Sequence, residues 1–299
     1  MADMSIAQKL LRWYDAHGRD LPWRKTRDPY AILVSEIMLQ QTQVSRGLTF
    51  YARWLKRFPT WQALAKASNA QVLKAWAGLG YNRRALMLRD IARQICVQGV
   101  PTSDVGWRKL KGIGPYTSAA IALFAQHERI IPIDTNIRRV LARVGLGLPY
   151  PSLADDERIA KVAETIVPKT GRYDDFFQAI FDLATSVCMK TPDCARCPLR
   201  TVCKAAPDFL AGNVATPKAM IVKAKERKHR DKSFPDRIYR GRILTLVRKA
   251  KDGLRLAEIG KAIDPSFQEA HDGKWVEEMV RRMEKDGMVK QRNTRVFLA

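Results

Sequence analysis

Over residues 1–205 apolar side chains recur at three- and four-residue spacing almost without a break, in AQKLLRWYDAH, YAILVSEIMLQQTQV, LTFYARWLKRF, AQVLKAWAGLG and RRALMLRDIARQI. That period gathers the apolar positions onto one stripe of a helix, and no stretch of this region alternates with the period of two that a strand requires. Leu21-Pro22, Phe58-Pro59, Gly78-Leu79-Gly80 and Val100-Pro101 punctuate the segments, as helix breakers do. The expectation is an all-α domain of amphipathic helices. A chain of 299 residues, 46% of them hydrophobic, can bury two compact domains and a small third one.

After residue 205 the character changes. Residues 206–235 contain three prolines and a run from Lys218 to Lys232 with seven Lys or Arg against two acids, which reads as a basic, solvated linker. Residues 236–299 resume the helical period in RGRILTLVRKA, in LRLAEIGKAI and in the stripe Trp275, Val276, Met279, Val280 and Met283, and end in GMVKQRNTRVFLA, which alternates on either side of Asn293. Three helices followed by a hairpin predict a winged-helix-like domain; many such domains place their third helix in the DNA major groove and many others bind only proteins, so both DNA and protein contact stay open here.

Lys and Arg exceed Asp and Glu by 53 to 30, a net charge of +23 and a pI near 10.1. Such a surplus suits a polyanion, with nucleic acid as the leading partner. No apolar run approaches the roughly 20 residues that span a bilayer, and the N-terminus lacks the apolar core of a signal peptide. A cytoplasmic, nucleoid-associated protein with no membrane partner is expected.

Four of the five cysteines, Cys188, Cys194, Cys197 and Cys203, fall within sixteen positions at the spacing C-x5-C-x2-C-x5-C. In a reducing compartment clustered thiols serve metals more often than disulfides, and the spacing alone admits zinc as readily as an iron-sulfur cluster. Cys96 stands apart and is expected to be an ordinary buried thiol.

Leu110-Lys111-Gly112-Ile113-Gly114-Pro115-Tyr116-Thr117 precedes the helical SAAIALFA. A Gly-x-Gly turn lets backbone come close to a ligand, and the N–H groups opening the next helix favour a phosphate. Standing alone, the motif is a tight turn. Asp134, just before the amphipathic NIRRVLARV, reads locally as a helix N-cap. Glu36 lies among Val34, Ile37, Met38 and Leu39, either on a solvated stripe or where desolvation raises its pKa as a general acid requires.

Taken together, DLPWRKTRDPYAILVSEIMLQQTQV, the GLGY at 78–81, LKGIGPYT, the Asp134 segment and the four cysteines resemble, in order and spacing, the helix-hairpin-helix (HhH-GPD) DNA glycosylases, and most nearly the MutY-type adenine DNA glycosylases. The resemblance covers about residues 6–205. It implies an all-α, two-lobed glycosylase fold, a six-helix barrel plus an iron-sulfur lobe with a cleft between them, and a 4Fe-4S cluster on the four cysteines. It implies a base excision repair hydrolase that extrudes a base from double-stranded DNA containing a mismatch or lesion and acts as a monomer.

By the same resemblance Glu36 is the general acid, Asp134 the carboxylate facing the sugar cation, and Asn136 its polar partner. Arg19, Trp23, Tyr116 and Asp182 fall at base-pocket positions. Gln41 and Tyr81 match side chains that enter the base stack, and Gly112, Gly114 and Thr117 belong to the DNA-binding hairpin. Bifunctional endonuclease III relatives carry a Lys where this chain has Tyr116; a phenol forms no Schiff base, so monofunctional chemistry is expected.

Thr135 stands where the family usually has Gly, Asn82 where it often has a second Tyr, and the first cysteine interval is five residues rather than six. Residues 236–299 are too few and too helical for the Nudix-like β-rich domain that normally ends these proteins. Adenine opposite 8-oxoguanine or G is the first expected substrate, thymine or uracil opposite G the second, and a non-catalytic DNA-binding protein the third reading.

Overall fold

The computed structural model describes residues 4–169, 171–217, 226 and 228–299. In chain order its α-helices are α1 (Ile6–His17), α2 (Pro29–Leu39), α3 (Val44–Arg57), α4 (Trp61–Ala65), α5 (Asn69–Ala75), α6 (Arg83–Gln98), α7 (Asp104–Arg108) and α8 (Pro115–Gln126). There follow α9 (Thr135–Leu141), α10 (Asp156–Ile166), α11 (Tyr173–Ser186), α12 (Ala206–Leu210), α13 (Asp236–Lys249), α14 (Leu256–Ile263) and α15 (Glu269–Lys285). Strands β1 (Leu254–Arg255), β2 (Val289–Arg292) and β3 (Arg295–Leu298) form one antiparallel sheet in the order β1-β3-β2.

The helices start where the sequence offers caps. Ser5 and Ser68 close capping boxes with Gln8 and Gln71, and Thr60 and Ser103 cap α4 and α7, each satisfying backbone donors the first turn leaves free. The expected single helix over residues 30–44 is instead broken: α2 stops at Leu39 and α3 starts at Val44. Gln41 between them adopts φ 56, a left-handed conformation that no α-helix can contain.

The chain forms two compact units: residues 1–32, 101–109 and 113–223 in the first, and 33–100, 110–112 and 224–299 in the second. In the first, α11 packs against α1 and α9 and buries Phe176, Phe177, Ile180 and Leu183, while α8 buries every side chain from Thr117 to Phe124. In the second, α4 and α5 lie on α6, Trp54 meets Trp76 edge-on with centroids 5.2 Å apart, and α13 to α15 close over the sheet.

Residues 236–299 fall in the unit that also holds α3 to α6. The stretch expected to be a solvated linker is structured at both ends. Phe209 of α12 packs edge-on against Tyr150, and Lys232 is buried with its Nζ 2.7 Å from both Asp264 and Asp272. The middle of the basic run, 218–225 and 227, lies outside the described residues. Cys96 is exposed rather than buried, because it sits on the outer face of α6.

Candidate active site

Asp134 is the N-cap of α9. Its Oδ1 accepts from the backbone N–H groups of Asn136 (2.8 Å) and Ile137 (2.7 Å), and its Oδ2 accepts from Asn136 Nδ2 at 2.8 Å. Burial pushes its pKa above the ordinary aspartate value, and the three hydrogen bonds with nearby Arg139 only partly pull it back. Asn136 Oδ1 in turn accepts from Arg139 Nη2 at 3.1 Å, and Arg139 donates Nε to the Cys188 carbonyl at 2.9 Å and Nη2 to that of Ala184 at 3.0 Å. A continuous polar chain therefore links the candidate carboxylate to the first cysteine.

One turn further, Ala142–Leu146 forms a π-helical turn, a local widening frequent at functional sites. It carries Arg143, which is 1% exposed. Arg143 donates Nε to Pro149 O (2.9 Å), Nη1 to Met189 O (2.7 Å) and to Cys188 Sγ (3.5 Å), and Nη2 to Lys190 O (2.9 Å), with its guanidinium 4.7 Å from the Phe209 ring centre.

The structure brings Cys188, Cys194, Cys197 and Cys203 onto the wall of one small cavity, which Arg143, Asp193, Val144, Leu183 and Phe209 also line. Burial raises the Cys194 and Cys203 thiols and pushes Cys197 up to about 12, so four thiolates here need a cation among them. Among the described residues no three metal-binding side chains converge on a point. Four sulfur donors around one cavity suit zinc or an iron-sulfur cluster.

Asp182 anchors α11 to residues 19–24. It is 2% exposed, and both oxygens are occupied: Oδ1 by Arg19 Nε (2.6 Å) and Arg24 Nη2 (2.8 Å), Oδ2 by the Arg19 backbone N–H (2.8 Å) and Arg24 Nη1 (2.8 Å). Four donors fill a carboxylate's capacity. Burial alone would raise its pKa, but the two arginines outweigh it and hold the group below the usual range. Trp23, on a short 3-10 turn beside Arg24, is buried, and Arg19 stays one-third exposed. Arg24 was not singled out in the sequence, where it is one arginine among many.

Glu36 is half-buried on α2, between fully buried Val34, Ile37 and Met38. Gln41 is exposed at φ 56, and Tyr81 is 53% exposed at φ 47. A non-glycine residue in the left-handed region is strained, a condition that concentrates at functional sites. Both strained residues are held by one side chain that the sequence did not mark, Arg84. Its Nη1 donates to the carbonyls of Ile37 (2.9 Å), Met38 (3.1 Å) and Gln40, and its Nη2 to Thr42 Oγ1 (3.3 Å) and Gly80 O (3.2 Å). The guanidinium also lies 5.3 Å from the Trp76 ring and 5.4 Å from the Tyr81 ring. It caps the orphan carbonyls and negative dipole end of α2 and fixes both loops at once.

In the glycine hairpin, Gly112 has φ 103, which favours glycine, and a Cβ there would approach Met87 Cγ to 2.8 Å. A Cβ on Gly114, the N-cap of α8, would meet nothing within 4 Å, so its backbone is open to an incoming group. Tyr116 is half-buried in the first turn. Thr117 is 5% exposed. Ser118 Oγ donates to Asp104 Oδ1 at 2.6 Å and ties α8 to α7.

Residues 34–169 match the family model described as HhH-GPD superfamily base excision DNA repair protein. The chain is 36% identical over 258 residues to an adenine DNA glycosylase of Mycobacterium tuberculosis, covering 85% of this chain and 82% of that one. It is 37% identical over 262 residues to an adenine DNA glycosylase of Mycolicibacterium smegmatis, covering 86% and 85%. A solved thermostable thymine-DNA glycosylase superposes with TM-score 0.62 at 28% identity, over 68% of this chain and 95% of that one.

Proposed function

The chain belongs to the HhH-GPD superfamily of base excision DNA repair proteins, with MutY-type adenine DNA glycosylases as its relatives, and is a DNA N-glycosylase; we propose that it removes adenine opposite 8-oxoguanine or guanine by monofunctional hydrolysis. The observation that carries this reading is Asp134, a carboxylate held by two backbone N–H groups and Asn136 Nδ2 in a partly desolvated place.

Adenine leaves deoxyribose slowly because the departing anion is poor and the sugar left behind is a cation. Glu36 meets the first difficulty by giving a proton to the base. Asp134, whose ionised form its donors favour against the effect of burial, meets the second by facing the oxocarbenium-like sugar, and water completes the hydrolysis, a division of labour shared with two-carboxylate glycosidases. Asn136 fixes the orientation of the Asp134 carboxylate. Tyr81 and Gln41 enter the stack vacated by the extruded base, and the backbone around Gly112 and Gly114 holds phosphate.

Cys188, Cys194, Cys197 and Cys203 hold a 4Fe-4S cluster, which when bound orders the basic loop 188–203. Arg143 and Arg139 grip the carbonyls of that loop and keep Cys188 in register with α9. Residues 1–205 act as the glycosylase domain, and the enzyme works as a monomer on mismatched duplex DNA.

A second reading, thymine or uracil opposite G, is favoured by the similarity to the thymine-DNA glycosylase. Base release from duplexes carrying A opposite 8-oxoguanine, A opposite G, T opposite G and U opposite G, developed with alkali, decides. Scission of the adenine strands alone is expected; scission of only the T or U strands replaces the first reading by the second.

A further inference from the structure

The loop Gly80–Asn82 is gripped from a second direction besides Arg84. Arg248 of α13 donates Nη2 to Asn82 Oδ1 at 2.8 Å, across 166 residues of sequence. Its Nε is buried with no acceptor, and burial lowers its pKa, so this arginine bears a desolvation cost in order to reach the loop. Two further bonds fix the same docking. Asn69 Nδ2 donates to Gly287 O at 2.6 Å, and Arg83 Nε lies 3.5 Å from Asp286. Gly287 has φ 69, which favours glycine, and a Cβ there would stand close to Asn69 Nδ2, at 3.0 Å.

The docked segment is basic where it meets the loop. Helix α13 carries Arg237, Arg240, Arg242, Arg248 and Lys249 against Asp236. Arg242 is spent internally, on Ile263 O at 2.6 Å and over the Phe234 and Tyr239 rings. Arg237 is half-exposed, within electrostatic reach of Tyr81, and paired with Glu226, which is itself half-exposed. Beyond it the hairpin exposes Lys290, Arg292 and Arg295, and no acid lies between Val289 and Leu298.

We propose that residues 236–299 are part of the DNA-contacting surface: Arg248 holds the Tyr81 loop in its entering posture, and Arg237 exchanges Glu226 for a duplex phosphate beside the step that Tyr81 enters. The occupant is double-stranded DNA, argued from charge complementarity and from continuity with the exposed, strained Tyr81. This rests on the glycosylase reading for the meaning of Tyr81. Arg248 is a positioning residue; Arg237 is a phosphate ligand.

The test uses the full chain with Arg237→Ala, Arg248→Ala and Arg248→Lys. Duplex affinity is measured over a salt series, and single-turnover base release at saturating DNA. Arg237→Ala should weaken mismatched and fully paired duplexes alike and reduce the salt slope by about one. Arg248→Ala should slow the saturated rate about tenfold while affinity for paired DNA holds, and Lys, which keeps one donor, should restore much of it.

Unchanged affinity, slope and rate in all three variants overturns the proposal and assigns the surface to a protein partner. If Arg248→Ala lowers the unfolding midpoint, Arg237→Ala decides, since its half-exposed side chain supports no core. If the parent enzyme releases no base, the function proposed above fails, while the Arg237 salt slope still tests the surface.

Discussion

At the scale of single residues, Asp134 makes the sharpest claim. Its carboxylate must be ionised to face a sugar cation, and burial sets its pKa above the ordinary aspartate value. Base release should therefore fall off on the acidic side at a higher pH than an exposed aspartate would give. Asn136→Ala deletes a donor that favours the ionised form, so it should move that limb to still higher pH; a single-turnover pH profile checks both. Asp134→Asn should abolish release and leave duplex binding largely intact. Tyr116 predicts that borohydride traps no covalent complex with substrate DNA, as strand-cleaving relatives with a lysine would.

Glu36, Asp134 and the cysteines were marked as candidates because each stands inside a local motif. Arg24, Arg84, Arg139 and Arg143 were not. A long basic side chain takes its meaning from carbonyls brought near by folding, and in a chain with 53 Lys and Arg nothing local marks four of them.

At the scale of elements, the tie between α11 and residues 19–24 is the one most open to measurement. Asp182 has a folded-state pKa held below its unfolded value. Its stabilisation is thus present above the unfolded pKa and lost as pH falls through the lower folded one. Asp182→Asn leaves Arg24, 8% exposed, without its counter-ion and should cost about 3–5 kcal/mol, seen as a lowered midpoint in denaturant.

Helix placement was largely readable from the apolar period; helix ends were less so. The apolar run from Tyr30 hides the stop at Leu39, because the side chain that terminates α2, Arg84, comes from a different helix. Likewise the basic run near Lys232 reads as solvated until Asp264 and Asp272 close on it, and both acids come from well beyond the run, in the segment that follows α13.

At the scale of the whole molecule, the net charge of +23 predicts binding dominated by phosphate contacts. Affinity for paired DNA should drop steeply between about 50 and 200 mM salt; a flat response contradicts it. What the sequence concealed at this scale is the interleaving of the chain. Composition separates 236–299 from what precedes it, yet 33–100 and 224–299 share one compact unit, since the bonds that join them involve single polar atoms with no compositional trace.

The bond between Asn69 and Gly287 spans 218 positions, and that length bears on how the molecule is made. During synthesis the helices of residues 33–100 leave the ribosome long before their last partner exists. They must wait, with the surface around Asn69 and Leu86 bare, until the chain has grown by the 218 positions that separate Asn69 from Gly287. Contacts of such sequence separation slow folding and leave unfinished surface exposed to aggregation and chaperones. A nascent chain released before residue 287 would lack the turn at Gly287 and carry that exposed face for its whole lifetime.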